Sequence, residues 1–223
     1  MAVHFLHIGK TGGTAIKWAL RHAEIPETPW GPIELHRHAF KIADVPRGDR
    51  VIFFVRDPVD RFMSGFYSRL SKGQPRYLYE WTEGERVAFE EFPTPQRLAA
   101  ALGSDDEEER ARARRAARAI RHTRPMYRYT GGPLRLRLRG RQILYIGRLE
   151  TLQADWKQIR TLLELPRNVK LPHGPWRAHR QKEPLDMTLD DAARRALEDF
   201  YRGDYKLVEY CDKVREKRGW GVS

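Results

Sequence analysis

Six consecutive residues near the start of the chain, Gly9-Lys10-Thr11-Gly12-Gly13-Thr14, combine small residues, hydroxyls and one cation. Glycines at 9, 12 and 13 allow a ligand to approach the backbone closely. Lys10 supplies a full positive charge and Thr14 is placed to cap a following helix. That chemistry suits a phosphate. A second constellation lies at Arg56-Asp57-Pro58-Val59-Asp60-Arg61-Phe62-Met63-Ser64-Gly65-Phe66-Tyr67. Arg56 offers a charged fork, and Ser64, seven residues past Asp57, falls on nearly the same helix face as that residue.

Each constellation needs a strand before it and a helix after it. The apolar run Ala2–Ile8 predicts a strand entering the first loop, and Ala15-Ile16-Lys17-Trp18-Ala19-Leu20 leaves it at helical spacing. Such a loop aims free N–H groups and a positive dipole end at one point, which favours an anion. Val51-Ile52-Phe53-Phe54-Val55 is a continuous apolar run, as in a strand buried on both faces of a parallel sheet. Asp57 then reads as an N-cap, Pro58 as the first helical residue, and Val59, Phe62, Met63, Phe66, Tyr67 and Leu70 as the apolar stripe. Arg56 therefore sits at the carboxyl end of a central strand, where open α/β sheets bind ligands. The two loops are expected to converge. Arg61 is assigned to helix-start pairing with Asp57 or Asp60.

The nucleotide P-loop, Gly-x-x-x-x-Gly-Lys-Ser/Thr, shares its last three letters with Gly9-Lys10-Thr11, but its first glycine would fall on His4, inside the strand. The glycines here follow the lysine instead. Strand, Lys-Thr-Gly-Gly-Thr and helix resemble the 5′-phosphosulfate loop of sulfotransferases that use 3′-phosphoadenosine 5′-phosphosulfate (PAPS). Arg56-Asp57-Pro58 through Tyr67 resembles the 3′-phosphate motif of that same family.

The resemblance implies a single domain over 1–223, a P-loop-like three-layer α/β fold with a central parallel sheet flanked by helices. It implies PAPS as donor, with no metal required. Gly9, Lys10, Thr11, Gly12, Gly13 and Thr14 would hold the 5′-phosphosulfate, with Lys10 neutralising charge on the leaving phosphate. Arg56 and Ser64 would bind the 3′-phosphate. A basic loop containing Arg180 and Lys182 supplies further candidates for the nucleotide. The acceptor is a molecule with a hydroxyl group, an anionic glycan among the options, and its proton must go to a base. A His-x-His pair before the Arg-Asp-Pro motif resembles that of heparan sulfate 2-O-sulfotransferases. It places the base at His38, then His36, with Glu34 the carboxylate alternative. The chain departs from the family at Gly9, where relatives often carry proline, and the membrane anchor typical of Golgi members is not expected.

The remaining segments are read from pattern. Ile33–His38 alternates like a short strand, placing His36 and His38 on one face. Residues 73–95, rich in aromatics, fit an acceptor-binding loop or packed irregular structure equally. Helices are expected over Gln96–Leu102, from the Asp105–Glu109 acid cluster to about His122, and from Leu149 to Leu165. Arg135-Leu136-Arg137-Leu138-Arg139-Gly140-Arg141 alternates like an edge strand or hairpin, and Ile143–Gly147 like a buried strand. Thr188–Arg218 is helical with a break near Gly203.

Composition bounds the rest. At 223 residues, 40% hydrophobic and 32% charged, the chain can enclose a sizeable core under a charged surface. No apolar run approaches the roughly 20 residues that cross a bilayer, and no signal-peptide pattern opens the chain, so a cytoplasmic protein is expected. The sole cysteine, Cys211, lies on an apolar helical face and reads as a buried structural thiol. No Cys/His cluster has zinc spacing. A net charge of +12 favours anionic partners without choosing among them. A nucleotide kinase or NTPase, or a basic nucleic-acid-binding protein, are the alternatives, although neither a Walker B carboxylate nor a nucleic-acid reader motif is visible. No nucleic-acid partner is expected, and oligomeric state is not legible.

Overall fold

The structure is a computed structural model that describes residues 1–22, 28–72, 79–172 and 185–221. The apolar runs become strands β1 (Val3–Leu6), β2 (Ile33–Leu35), β3 (Arg50–Val55) and β4 (Ile143–Arg148). They form one sheet in the order β2-β1-β3-β4, parallel throughout. In register, Val3 lies opposite Ile33 and Arg50, and Val55 opposite Arg148. Parallel neighbours cannot be joined by hairpins, so each return needs a crossover. The helices are α1 (Gly13–Arg21), α2 (Pro58–Leu70), α3 (Glu83–Glu91), α4 (Pro95–Leu102), α5 (Glu107–Ala119), α6 (Tyr127–Thr130), α7 (Gly132–Leu138), α8 (Leu152–Leu162), α9 (Asp191–Phe200) and α10 (Arg202–Lys217).

Contacts divide the chain into two compact units, one of residues 1–56, 126–179 and 206–223, the other of residues 57–125 and 180–205. The first unit holds the sheet. Because side chains alternate along a strand, Val3, Phe5, Ile52 and Phe54 face one way and pack on Ile16 and Leu20 of α1 and Trp156 and Ile159 of α8. Leu6, Val51, Phe53 and Val55 face the other way and meet Leu136 of α7 with Leu207 and Cys211 of α10. This is the expected three-layer α/β arrangement. Burial at Cys211 pushes its thiol well above the usual range, consistent with an inert structural residue.

An internal network ties α10 to the sheet. Arg215 donates to the Ile146 carbonyl at 2.6 Å and to Asp155 at 3.0 Å, while Asp155 also accepts from the Tyr145 hydroxyl at 2.7 Å and the Arg148 N–H at 2.8 Å.

The segment 135–141 departs from its expected edge strand: Arg135 to Leu138 lie in α7. Pro133 in the first turn presets a helical φ, and Gly131 at φ +72° begins the turn that enters it. The alternating leucines are not one face of a strand. Leu136 is buried, whereas Leu134 and Leu138, one helical turn apart, are exposed.

The second unit is helical and its core joins Phe62 and Phe66 of α2, Phe89 of α3, Leu98 of α4, Ala117 of α5 and Leu197 of α9. Asp57 caps α2 by accepting from the Asp60 N–H at 2.9 Å, as read from sequence. Residues 83–91 are the helix α3, and α5 runs Glu107–Ala119 with Arg114, Arg115 and Arg118 exposed on a solvated face. The helical C-terminal stretch breaks at Tyr201, two residues before Gly203. Arg61, assigned from sequence to pairing with Asp57 or Asp60, is fully buried in the first turn of α2.

Glu85 anchors this unit. Its carboxylate accepts from Arg69 Nε and Nη2, both at 2.7 Å, from the Thr82 N–H at 3.0 Å and from the Arg121 N–H at 3.1 Å. Burial alone would raise its pKa, but the Arg69 bonds and then the two backbone N–H groups outweigh it and bring it from 4.5 to about 2. A pKa depressed by folding contributes stability fully above the unfolded value, and loses it as pH falls through the folded one. Glu85→Gln is therefore expected to lower unfolding free energy near pH 7 by about 3–5 kcal/mol, the scale for breaking a buried pair. The gap from wild type should shrink between about pH 4.5 and pH 2, as measured by denaturant titration at stepped pH. A gap that stays constant down to pH 2 contradicts the assignment.

Candidate active site

Because the strands are parallel, their carboxyl ends lie along one edge of the sheet. There the first unit gathers the loop after β1, His36 and His38 after β2, and Arg56 after β3. The loop is tightly built. Gly12 is the N-cap of α1 at φ +86°, so Thr14 falls inside the helix and is not its cap. A left-handed residue is required to turn the chain into α1, and glycine takes that conformation without a Cβ penalty. A Cβ at Gly13 would lie 2.2 Å from His7 Cδ2, so only glycine lets the helix start this close to the imidazole. The N–H groups of Gly13 and Thr14, in the first turn of α1, have no acceptor within the helix.

Lys10 is a non-glycine residue at φ +67° and is half-buried. The guanidinium of Arg56 reaches its carbonyl, Nη1 to O, at 3.5 Å. The loop after β1 and the residue after β3 thus converge, as expected from sequence. Thr11 is buried, and its hydroxyl donates to the Ile8 carbonyl at 2.9 Å. Its side chain thereby braces the loop. Two cations and first-turn N–H groups make a donor set that fits a phosphate or sulfate ester.

β2 ends at Leu35, so His36 and His38 lie beyond the strand instead of alternating along it. Each is held by a different histidine of the first segment. His38 Nδ1 lies 3.1 Å from the His7 carbonyl, and the two rings are 4.1 Å apart between centroids. A carbonyl can only accept, so Nδ1 carries the proton and the neutral ring has its lone pair on Nε2. His36 Nε2 lies 2.8 Å from His4 Nδ1, and its ring stacks on Phe40 at 3.5 Å. Lys17, buried in α1, donates to the His36 carbonyl at 2.7 Å. Burial and then the neighbouring Arg21 and Arg37 charges lower the pKa of that lysine. Burial, His4 and Lys17 likewise lower the pKa of His36 against the opposing pull of Glu34 and Asp44, favouring the neutral ring. Glu34, the carboxylate alternative, is exposed on β2.

Sequence reasoning missed His4, His7 and Lys17. The available signal was a pair of histidines and a lysine at positions that the apolar pattern assigns to buried faces. Ser64 is half-buried on α2, in the second unit. Arg180 and Lys182 lie outside the described residues. A cavity of about 770 Å³ along α8, lined by residues from Gln153 to Leu171, shares none of the residues of this site. Among the described residues, no helix is long and apolar enough to cross a membrane.

No curated protein matches the chain. A family model described as the sulfotransferase family matches residues 3–211, which takes in the loop, the histidine pair, Arg56 and the helices of both units. With nearly the whole length matched and the parallel sheet in place, the chain belongs to the sulfotransferase family.

Proposed function

We propose that this sulfotransferase takes its sulfuryl group from PAPS and delivers it to a hydroxyl of a carbohydrate acceptor, with His38 as general base. The observation that carries the reading is the meeting of Lys10, the first turn of α1 and Arg56 beside an imidazole whose tautomer is set by a backbone carbonyl. Bound PAPS would supply the activated sulfuryl group and a phosphate leaving group. Lys10 and the N–H groups of Gly13 and Thr14 would hold the phosphate end, in the loop that also contains Gly9 and Gly12. Arg56 pairs with the 3′-phosphate. Lys10 opposes charge that grows on the leaving oxygen, so it contributes most in the transition state. His38 takes the acceptor's proton at Nε2 while Nδ1–H stays on the His7 carbonyl. No charged intermediate of the protein is needed beyond a transient imidazolium. We also read residues 1–223 as one catalytic domain, since a single family match runs through residues of both units.

Isothermal titration should show adenosine 3′,5′-bisphosphate binding without Mg²⁺, and more tightly than ADP or ATP. Arg56→Ala should weaken that affinity roughly ten- to a hundredfold, since a charge-assisted contact is typically worth about 1.5–3 kcal/mol. Equal affinity for the nucleotides, or unchanged affinity in a folded Arg56→Ala protein, would sink the donor assignment.

His38→Ala is expected to keep nucleotide affinity and to lose turnover on the order of a hundredfold. A panel of glycans, phenols and alcohols with labelled PAPS identifies a working acceptor for this measurement. Near wild-type transfer by His38→Ala, with transfer abolished in His36→Ala or Glu34→Ala, would move the base to another residue.

A further inference from the structure

His36 is not merely a neighbour of the proposed base; it ends a hydrogen-bonded chain that starts at a carboxylate. Asp49, in the turn before β3, accepts from the Ala2 N–H at Oδ1, 2.9 Å, and meets His4 Nε2 at Oδ2, 3.0 Å. The hydrogen bond from His4, then that from Ala2, holds its pKa below the usual range, so this carboxylate is ionised and only accepts. His4 must therefore donate from Nε2, and when its ring is neutral Nδ1 is left as an acceptor. His36 must in turn donate from Nε2 to His4 Nδ1, 2.8 Å away, which puts the His36 lone pair on Nδ1. With both rings neutral, the order of protons follows from one fixed charge.

The ring at the end of this chain is clamped in direction as well as in tautomer. Phe40 stacks on it with an interplanar angle of 4°, and Lys17 holds its backbone carbonyl. His4 is itself buried, whereas His36 is half-exposed. Nδ1 of His36 makes no hydrogen bond among the described residues and is not among their enclosed, unbonded polar atoms. The charged and titratable groups around the ring are Lys17 on α1, Glu34 on β2, His4 on β1 and Asp44.

We propose that Asp49 and His4 are positioning residues that hold His36 Nδ1 as a hydrogen-bond acceptor for a second hydroxyl of the sulfated molecule, beside the one that His38 deprotonates. The proposal rests on the sulfotransferase reading above. Within that reading it requires two hydroxyls of the carbohydrate to be recognised, one at His38 Nε2 and one at His36 Nδ1, each ring with its tautomer set by the protein. A phenol or simple alcohol would satisfy only one of them.

Asp49→Asn isolates the effect with almost no change of shape. The amide oxygen is retained by the Ala2 N–H, so the amide nitrogen faces His4 Nε2 and donates to it. Every proton in the chain then reverses, and His36 Nδ1 becomes a donor. Long-range ¹H–¹⁵N spectra of the full chain at pH 8 read this directly. Wild type should show His36 as the Nε2–H tautomer, and Asp49→Asn should shift it toward Nδ1–H. His4→Phe, which keeps a ring beside Phe40, is the second variant and should leave His36 in a mixture of tautomers.

In steady-state transfer, wild type should prefer a polyol over its analogue lacking one neighbouring hydroxyl by about tenfold in kcat/KM, the size of one hydrogen bond. Both variants should lose that preference through KM for the polyol, with kcat and bisphosphate affinity little changed. An unchanged His36 tautomer in Asp49→Asn, or an unchanged polyol preference, overturns the proposal. A loss in kcat with KM intact also overturns it, because His36 would then be acting on the reacting proton. If wild type binds the bisphosphate nucleotide no better than ADP, the donor reading has failed separately, and the tautomer spectra still decide the chain from Asp49.

Discussion

The structure depends on two strands that are buried on both faces. β1 and β3 pair in parallel, with His4 opposite Val51 and Leu6 opposite Phe53, and neither can slip by one residue. A slip would exchange Val3 and Phe5 with His4 and Leu6, and send each set into the wrong layer. That constraint fixes where both strands end. Lys10 and Arg56 then meet because the two carboxyl ends are level, not because one side chain seeks the other. In the β1–β2 register His4 lies opposite Glu34 and Phe5 opposite Leu35, and the chain beyond β2 then brings His36 to His4 and His38 to His7.

The parallel sheet was legible because its strands are short, continuous apolar runs between turn residues, with Asp57-Pro58 marking a helix start as clearly as sequence can. The loop after β1 was legible for the same reason: glycine, lysine and threonine between a strand and a helix leave few alternatives. Misreadings came where local pattern and context disagree. Arg135–Arg139 alternates at a period of two, yet Pro133 and Gly131 commit the chain to a helix before the alternation begins. Thr14 looked like the cap because threonine caps well, but Gly12 turns the chain two residues earlier at a φ that threonine avoids. His4 was invisible as a site residue because it sits within an apolar strand and its partners come from 32 and 45 positions away. Such long separations are set by the fold alone.

The imidazoles divide into two kinds of control. His38 is oriented by a backbone carbonyl, an acceptor that no substitution of side chains removes. His36 is oriented by a side-chain carboxylate through another imidazole, a route that single substitutions can reverse. A reaction that moves one proton benefits from the first arrangement, whose tautomer is invariant. Discrimination between related substrates suits the second, since it can change without disturbing the proposed base.

The backbone of Lys10 carries a further consequence. A side chain at φ +67° costs roughly 1–2 kcal/mol relative to glycine in the same place. The chain thus keeps its one loop cation at a position where the least demanding residue for folding would be the one without a side chain. Selection for folding alone would replace it, and in the proposed mechanism its charge toward the leaving phosphate is what would hold it there. Stabilising the protein by directed evolution without an activity screen would therefore tend to erase Lys10 early, producing well-folded chains with an emptied charge at the centre of the site. The durability of that lysine in any engineered lineage would be a record of how strongly the chemistry was being selected.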